Sequence, residues 1–138
     1  MDIAQPSATE HLQFIRFQSS APNRLGRFPG VFALVNGLSR NGCLTPAQEE
    51  YRRRMNAWYN ANLVDPGRAD PSVYDRTRHP DAMAWFKSSA THLIAPVADY
   101  LAILDAHRVG WIRLRTDAPG EIIYDDPHQV VAIPPVSE

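Results

Sequence analysis

What this chain has little of narrows its function before any motif is read. It carries a single cysteine, Cys43, so no intrachain disulfide can form. Small secreted domains use cysteines in pairs, and a reducing, cytoplasmic setting is the expectation. Cys43 sits in RNGCLTP with no second cysteine and no paired histidine, which argues against a thiolate metal site. Lysine is equally scarce: Lys87 stands alone beside thirteen arginines. With many alanines and prolines, that usage reads as GC-rich coding, and most of the arginines read as surface residues. The net charge of −1 supplies no global field toward nucleic acid or an anionic membrane. No apolar run approaches the ~18 residues of a bilayer span, and MDIAQPSATE has neither the basic nor the apolar part of a signal peptide. The phosphate-binding GxxxxGK[ST], the dinucleotide GxGxxG, HExxH and GxSxG are all missing. No cofactor and no metal are expected.

What is present suits one α+β domain spanning 1–138. The chain is 44% hydrophobic and 21% charged, enough for a core without staples. Residues 1–9 and 134–138 read as flexible ends. HLQFIRFQS (11–19) alternates, placing Leu12, Phe14 and Arg16 on one face of a strand. A first helix is expected over 29–40, with Pro29 in its first turn, an apolar stripe of Val31, Phe32, Leu34, Val35 and Leu38, and Asn41-Gly42 as its stop. Thr45-Pro46-Ala47-Gln48 is a capping box that opens a second helix, with Ala47, Tyr51, Met55, Trp58 and Asn62 on one face. Glu49–Arg53 and Glu50–Arg54 are spaced as i,i+4 pairs, so Arg52, Arg53 and Arg54 read as a solvated face.

Residues 64–79 form a long link rich in Pro, Asp and Arg, read as an ordered lid or pocket wall pinned by Val73 and Tyr74. From Pro80 a helical stripe of Met83, Phe86, Ala90, Leu93, Val97, Leu101 and Leu104 predicts one helix kinked at Pro96 or two helices abutting there, ended by Gly110. GWIRLR (110–115), EIIYD (121–125) and HQVVAI (128–133) read as strands, the first two as a hairpin through Pro119-Gly120. An antiparallel sheet of three or four strands, covered on one face by three to four helices, is the expected architecture.

Candidate chemistry follows from this placement. Arg24 and Arg27 flank Gly26 ahead of the first helix, where guanidinium forks and free backbone N–H groups together suit a phosphate or carboxylate. On a helix, Trp85, Ser89 and His92 share a face, with Lys87 between faces; His92 is then a general base, Ser89 its hydroxyl partner and Trp85 a stacking surface. Trp58 and Asn60 in WYNAN add a ring and an amide for a ligand. Asp105-x-His107 and Asp125-Asp126-x-His128 have short metal spacings without a full ligand set. Trp111, Arg113 and Arg115 share a strand face that stacks bases in other proteins, but Glu121, Asp125 and Asp126 on the next strand neutralise it, and nucleic acid is disfavoured.

The blocks GRFPGVFALVNGL (26–38), WYNANLVDP (58–66), DPSVYD (70–75), AWFKSSATHLI (84–94), YLAILDAH (100–107) and IIYDDPHQVVAIP (122–134) resemble a group of small, uncharacterised actinobacterial proteins over most of the chain. The resemblance implies one intact cytoplasmic domain and no known activity. Two functional readings remain. One is a binder or enzyme for a small anionic or aromatic ligand, with Arg24 and Arg27 on the anion, Trp58 and Trp85 stacking, and His92 as acid/base. The other is a non-enzymatic interaction or regulatory module, with a homodimer left open.

Overall fold

A computed structural model describes residues 12–135, so the ends assigned above as flexible lie outside it apart from Pro134 and Pro135. Five strands form one antiparallel sheet: β1 (Phe14–Ser19), β2 (Met83–Lys87), β3 (Trp111–Thr116), β4 (Glu121–Asp125) and β5 (Gln129–Ile133), in the order β3-β1-β2-β5-β4. Helices α1 (Val31–Arg40), α2 (Pro46–Asn62), α4 (Thr91–Ile94) and α5 (Val97–Ala106), with the short α3 (Pro66–Ala69), fill the connections. The α+β class holds, with one strand more than the upper expectation.

That extra strand is the main correction. Met83–Lys87 is not helical; it is the centre of the sheet, paired with β1 through Phe14–Lys87 and Ile15–Phe86 and with β5 through Met83–Ala132 to Phe86–Gln129. A central strand is apolar on both faces, so its run of side chains has no clean period of two, and Met83 and Phe86 imitate a helical stripe. Pro96 resolves the other half of that expectation: it is the N-cap of α5 and separates two helices. Leu93, Val97, Leu101 and Leu104 are all buried, as the stripe requires. Helix α5 ends on His107, and the left-handed turn after it is taken by Arg108 (φ 58°) rather than by Gly110.

The other helices follow their sequence signals. Thr45 Oγ1 accepts from the Gln48 N–H at 3.1 Å while Gln48 Oε1 accepts from the Thr45 N–H at 2.9 Å, so the capping box is complete. Gly30, not Ser or Asp, is the N-cap of α1, and no side chain caps that end; Pro29 lies before the helix. Arg52 pairs with Glu49 one turn back at i,i+3, the spacing that brings its guanidinium to the carboxylate, in place of the i,i+4 Glu49–Arg53 pair. The link after α2 is ordered: Asp65 caps α3, Asp70 and Asp75 accept from N–H groups two residues on, and Val73 is buried.

The expected β3–β4 hairpin does not form. These consecutive strands occupy opposite edges of the sheet, joined only by residues 117–120. Four inter-strand spacings of ~4.8 Å separate the edges of a flat sheet by about 19 Å, whereas the five steps from Thr116 to Glu121 reach at most about 18 Å. The sheet therefore curls. Gly120, at φ 120°, makes the tie feasible, because a Cβ there would strike the Ile133 carbonyl.

Curling gives the protein two cores. Helices cover the face bearing Ile15, Phe17 and Phe86, and pack Val35, Leu93, Tyr100 and Leu104 against it. The opposite face buries Phe14, Trp85, Val130 and Ala132, bordered by Leu12, Met83 and Leu114. Burial of these groups is the chief stabilising term, at ~25 cal/mol per Å² of apolar surface.

Candidate functional site

Strands β1 and β2 pair over only two residues and then part. Beyond the split β1 turns toward the 28–30 segment, where Gln18 bridges Gly30 and the Ser19 N–H donates to the Pro29 carbonyl. Arg16 closes the gap from β1. Its Nε donates to Gln18 Oε1 at 2.7 Å, Nη1 to the Ala84 carbonyl at 3.1 Å and Nη2 to the Phe28 carbonyl at 2.8 Å. Among the described residues, no carboxylate pairs with it. A guanidinium has five N–H donors, so two remain without a partner among the described residues. Burial lowers the Arg16 pKa to about 10, partly offset by Tyr74, and the group is cationic at neutral pH.

Arg16 lines a cavity of about 130 Å³ at the split, walled by Val31 and Phe32 of α1, Leu63, Ala84, Trp85 and Phe86. Most of its wall is hydrocarbon or aromatic. The one charged group on that wall is Arg16, and Gly30, at the uncapped start of α1, lies against its guanidinium. The Trp85 side chain is buried among Phe14, Val130 and Ala132 on the opposite face of the sheet, and its Nε1 has no partner among the described residues. Gln129, on the far wall, donates through Nε2 to the Val64 carbonyl at 2.7 Å and to Asp126 Oδ2 at 3.0 Å, and its Oε1 accepts from no described residue.

The residues singled out from sequence are dispersed. Trp85 lines the cavity, but from a strand and not a helix face. Lys87, at the end of β2, is ion-paired with Asp125 at 2.6 Å. Ser89 is exposed in the turn after β2, and His92 is exposed on α4, its ring edge-on to His128 at 5.0 Å. The shared Trp85/Ser89/His92 face does not exist, because a strand and a turn replace the helix that would have made it.

Arg24 and Arg27 also miss the start of α1. Their loop folds on Asn23, whose Oδ1 accepts from the Leu25 and Arg27 N–H groups. Arg27 lies 3.8 Å from Asp81, across a separate cleft of about 400 Å³ on the other side of Arg16. Trp58 packs edge-on to Tyr59 at 5.0 Å as part of the core. Asn60 lies on the rim of a third cleft, of about 410 Å³, that shares Phe32, Leu63 and Gln129 with the cavity. Residues 64–66, at the start of the long link, line this third cleft. Trp111 is tied down by its own donation to Asp105 Oδ1 at 2.8 Å, so its ring is not free to stack a base beside Arg113 and Arg115.

Arg16 was the residue sequence reasoning passed over. Its signal was visible: a charged side chain in the middle of an otherwise apolar strand, FIRF.

Taken as a class, this is a single α+β domain whose antiparallel sheet carries helices on one face and a small, mostly apolar cavity where two strands part. No family model, no curated protein and no solved structure matches the chain. No described residues form a group of three or more potential metal ligands, and no described helix is long and apolar enough to cross a membrane.

Proposed function

We propose that the protein binds a small carboxylic acid with an aromatic or branched apolar body, the body in the cavity at the β1–β2 split and the carboxylate on Arg16. One observation carries this reading: a partly buried guanidinium with no acidic partner among the described residues, on the wall of a small and mostly apolar cavity. A buried charge is costly unless an opposite charge meets it, and a carboxylate supplies that charge and accepts the free N–H groups. The volume is close to that of the ~150 Å³ engineered cavity known to take benzene. The anionic and aromatic ligand class expected from sequence is kept, with Arg16 replacing Arg24 and Arg27. Lys87, Ser89 and His92 line no part of this cavity, so the reading is binding, with no acid–base step assigned. A reducing compartment, the cytoplasm, is the setting that one exposed cysteine favours. The likeness to small actinobacterial proteins carries no activity and does not enter the argument.

Calorimetric titration of benzoate against its neutral isostere benzamide tests the reading. Loss of a charge-assisted hydrogen bond weakens benzamide by about tenfold or more. Arg16→Gln removes the preference, and Leu63→Trp, which fills the cavity, abolishes binding of both. Equal affinity for benzoate and benzamide, or benzoate binding untouched by both variants, refutes it, as does the absence of any saturable binding.

A further inference from the structure

Gln129 is the polar side chain on the cavity wall that carboxylate binding leaves unused. On β5 it sits opposite Phe86, so its side chain points to the helix-covered face of the sheet. It lines both the cavity and the third cleft, so the far end of a ligand seated on Arg16 meets it from either side. It is only 4% exposed, and an amide so enclosed is normally held at both its nitrogen and its oxygen. Here one end is held and the other is free.

The held end fixes the identity of the free one. Nε2 has the Val64 carbonyl and Asp126 Oδ2 as its partners. A carbonyl and an ionised carboxylate can only accept, so this atom is the nitrogen and the remaining one is the oxygen. Asp126 is itself anchored through both oxygens. Its Oδ1 accepts from the backbone N–H groups of His128 at 2.8 Å and Gln129 at 3.0 Å, and its Oδ2 from the Tyr124 hydroxyl at 2.8 Å. The amide is thereby locked against a flip, and Oε1 stays an acceptor that no described residue meets. The register also sets how far this acceptor's strand lies from the cation. The Arg16 guanidinium is tied to the Ala84 carbonyl, two residues along β2 from the Phe86 that faces Gln129. At ~3.4 Å per residue and ~4.8 Å between strands, the backbones of Ala84 and Gln129 are about 8 Å apart.

We infer that Gln129 determines which acid the cavity takes, selecting a ring carboxylic acid that carries a hydroxyl meta or para to the carboxylate, with the hydroxyl donating to Oε1. The inference rests on the carboxylate reading above and adds a second polar contact at the other end of the same ligand. A small apolar site with a few placed polar groups fixes a ligand's orientation in this way. An ortho hydroxyl stays at the Arg16 end, beside the carboxylate. A methyl ether keeps the oxygen but has no hydrogen to donate, and sets one acceptor against another.

Calorimetric titration of the full chain with 3- and 4-hydroxybenzoate tests it, against benzoate, 2-hydroxybenzoate and 4-methoxybenzoate. At least one of the first two binds about fivefold tighter than benzoate, while the ortho isomer and the ether gain nothing. In Gln129→Met the ratio of hydroxybenzoate to benzoate affinity falls to about one; should that variant fail to fold, the five ligands on the wild-type chain decide alone. Arg16→Gln weakens all five acids together. No gain from either hydroxyl, an equal gain from the ortho isomer or the ether, or a gain kept in Gln129→Met overturns the inference, and benzoate binding that depends on Arg16 then still upholds the carboxylate reading. A gain lost in Gln129→Met but indifferent to Arg16→Gln upholds selection by Gln129 and overturns that reading. Absence of saturation by all five overturns both.

Discussion

Raising the pH above 10 sets two kinds of buried group against each other, and each contribution can be separated by one substitution. Tyr59 and Tyr100 are buried, and their hydroxyls donate to the Leu93 carbonyl at 2.7 Å and to Asn56 Oδ1 at 2.6 Å. Burial, reinforced by the neighbouring phenol of Tyr51, pushes both pKa values well above the ordinary 10. Above pH 10 the unfolded chain ionises these phenols while the fold keeps them protonated. The unfolded state then binds fewer protons, and stability falls as pH rises. Arg16 acts in the opposite sense. With a pKa lowered to about 10 in the fold and a higher one in the unfolded chain, it loses its proton first when folded, and stability rises with pH above about 10. Each proton of difference is worth about 1.4 kcal/mol per pH unit. Near pH 11, Arg16 thus offsets roughly one of the two buried tyrosines. Urea unfolding followed by circular dichroism at intervals from pH 9 to 11.5 reads the slope directly. Tyr59→Phe is expected to make the decline shallower by about 1.3 kcal/mol per pH unit, and Arg16→Gln to make it steeper by the same amount. If the Tyr59→Phe slope equals that of the wild type, the Tyr59 hydroxyl titrates normally in the fold and the burial argument for it fails. If the Arg16→Gln slope is unchanged, the unpaired guanidinium on which carboxylate binding depends is not there.

Three further outcomes follow from local geometry. Thr45→Ala removes the first hydrogen bond of α2 and costs about 1 kcal/mol in urea denaturation, whereas Thr45→Ser costs a few tenths at most. Gly120→Ala, which drives a Cβ into the Ile133 carbonyl at a backbone angle that disfavours side chains, lowers stability by more than about 2 kcal/mol, read as a fall in urea midpoint at constant m. Lys87→Met breaks the pair with a half-exposed Asp125 and changes stability by less than about 1 kcal/mol, since an ion pair with one solvated partner contributes little; a larger loss would mark Lys87 as more than a tether between β2 and β4.

Much of the fold was legible where a local rule decides structure. The capping box of α2, the buried stripe of α1 and α5, the break at Pro96 and the strand character of 121–125 and 129–133 all rest on contacts within a few residues. The reading failed at Met83–Lys87 because pairing partners distant in sequence turn that segment into a two-sided strand, and period alone cannot distinguish it from a buried helix. The site was lost with it. Ser89 and His92 were grouped with Trp85 only by a helix that does not exist. Arg24 and Arg27 look like an anion cradle in sequence, yet the Asn23 turn and Asp81 draw their loop elsewhere. Asn60 sits on the helix the sequence assigned it to and reaches the rim of the third cleft. Arg16 drew no notice as a site residue, since its importance depends on which groups face it, and its partners from β2 and the 28–30 segment lie far from it in the chain.

The tie between β3 and β4 has a consequence for how the protein is made. Phe14 sits opposite Thr116, so β1 must wait while the 102 residues up to its outer partner are synthesised. Such remote pairing is slow to form, because a long loop must close before any contact repays it. Until then the apolar FIRF segment has one flank unpaired and is open to wrong partners. A charged Arg16 in the middle of that segment would keep it hydrated through the delay.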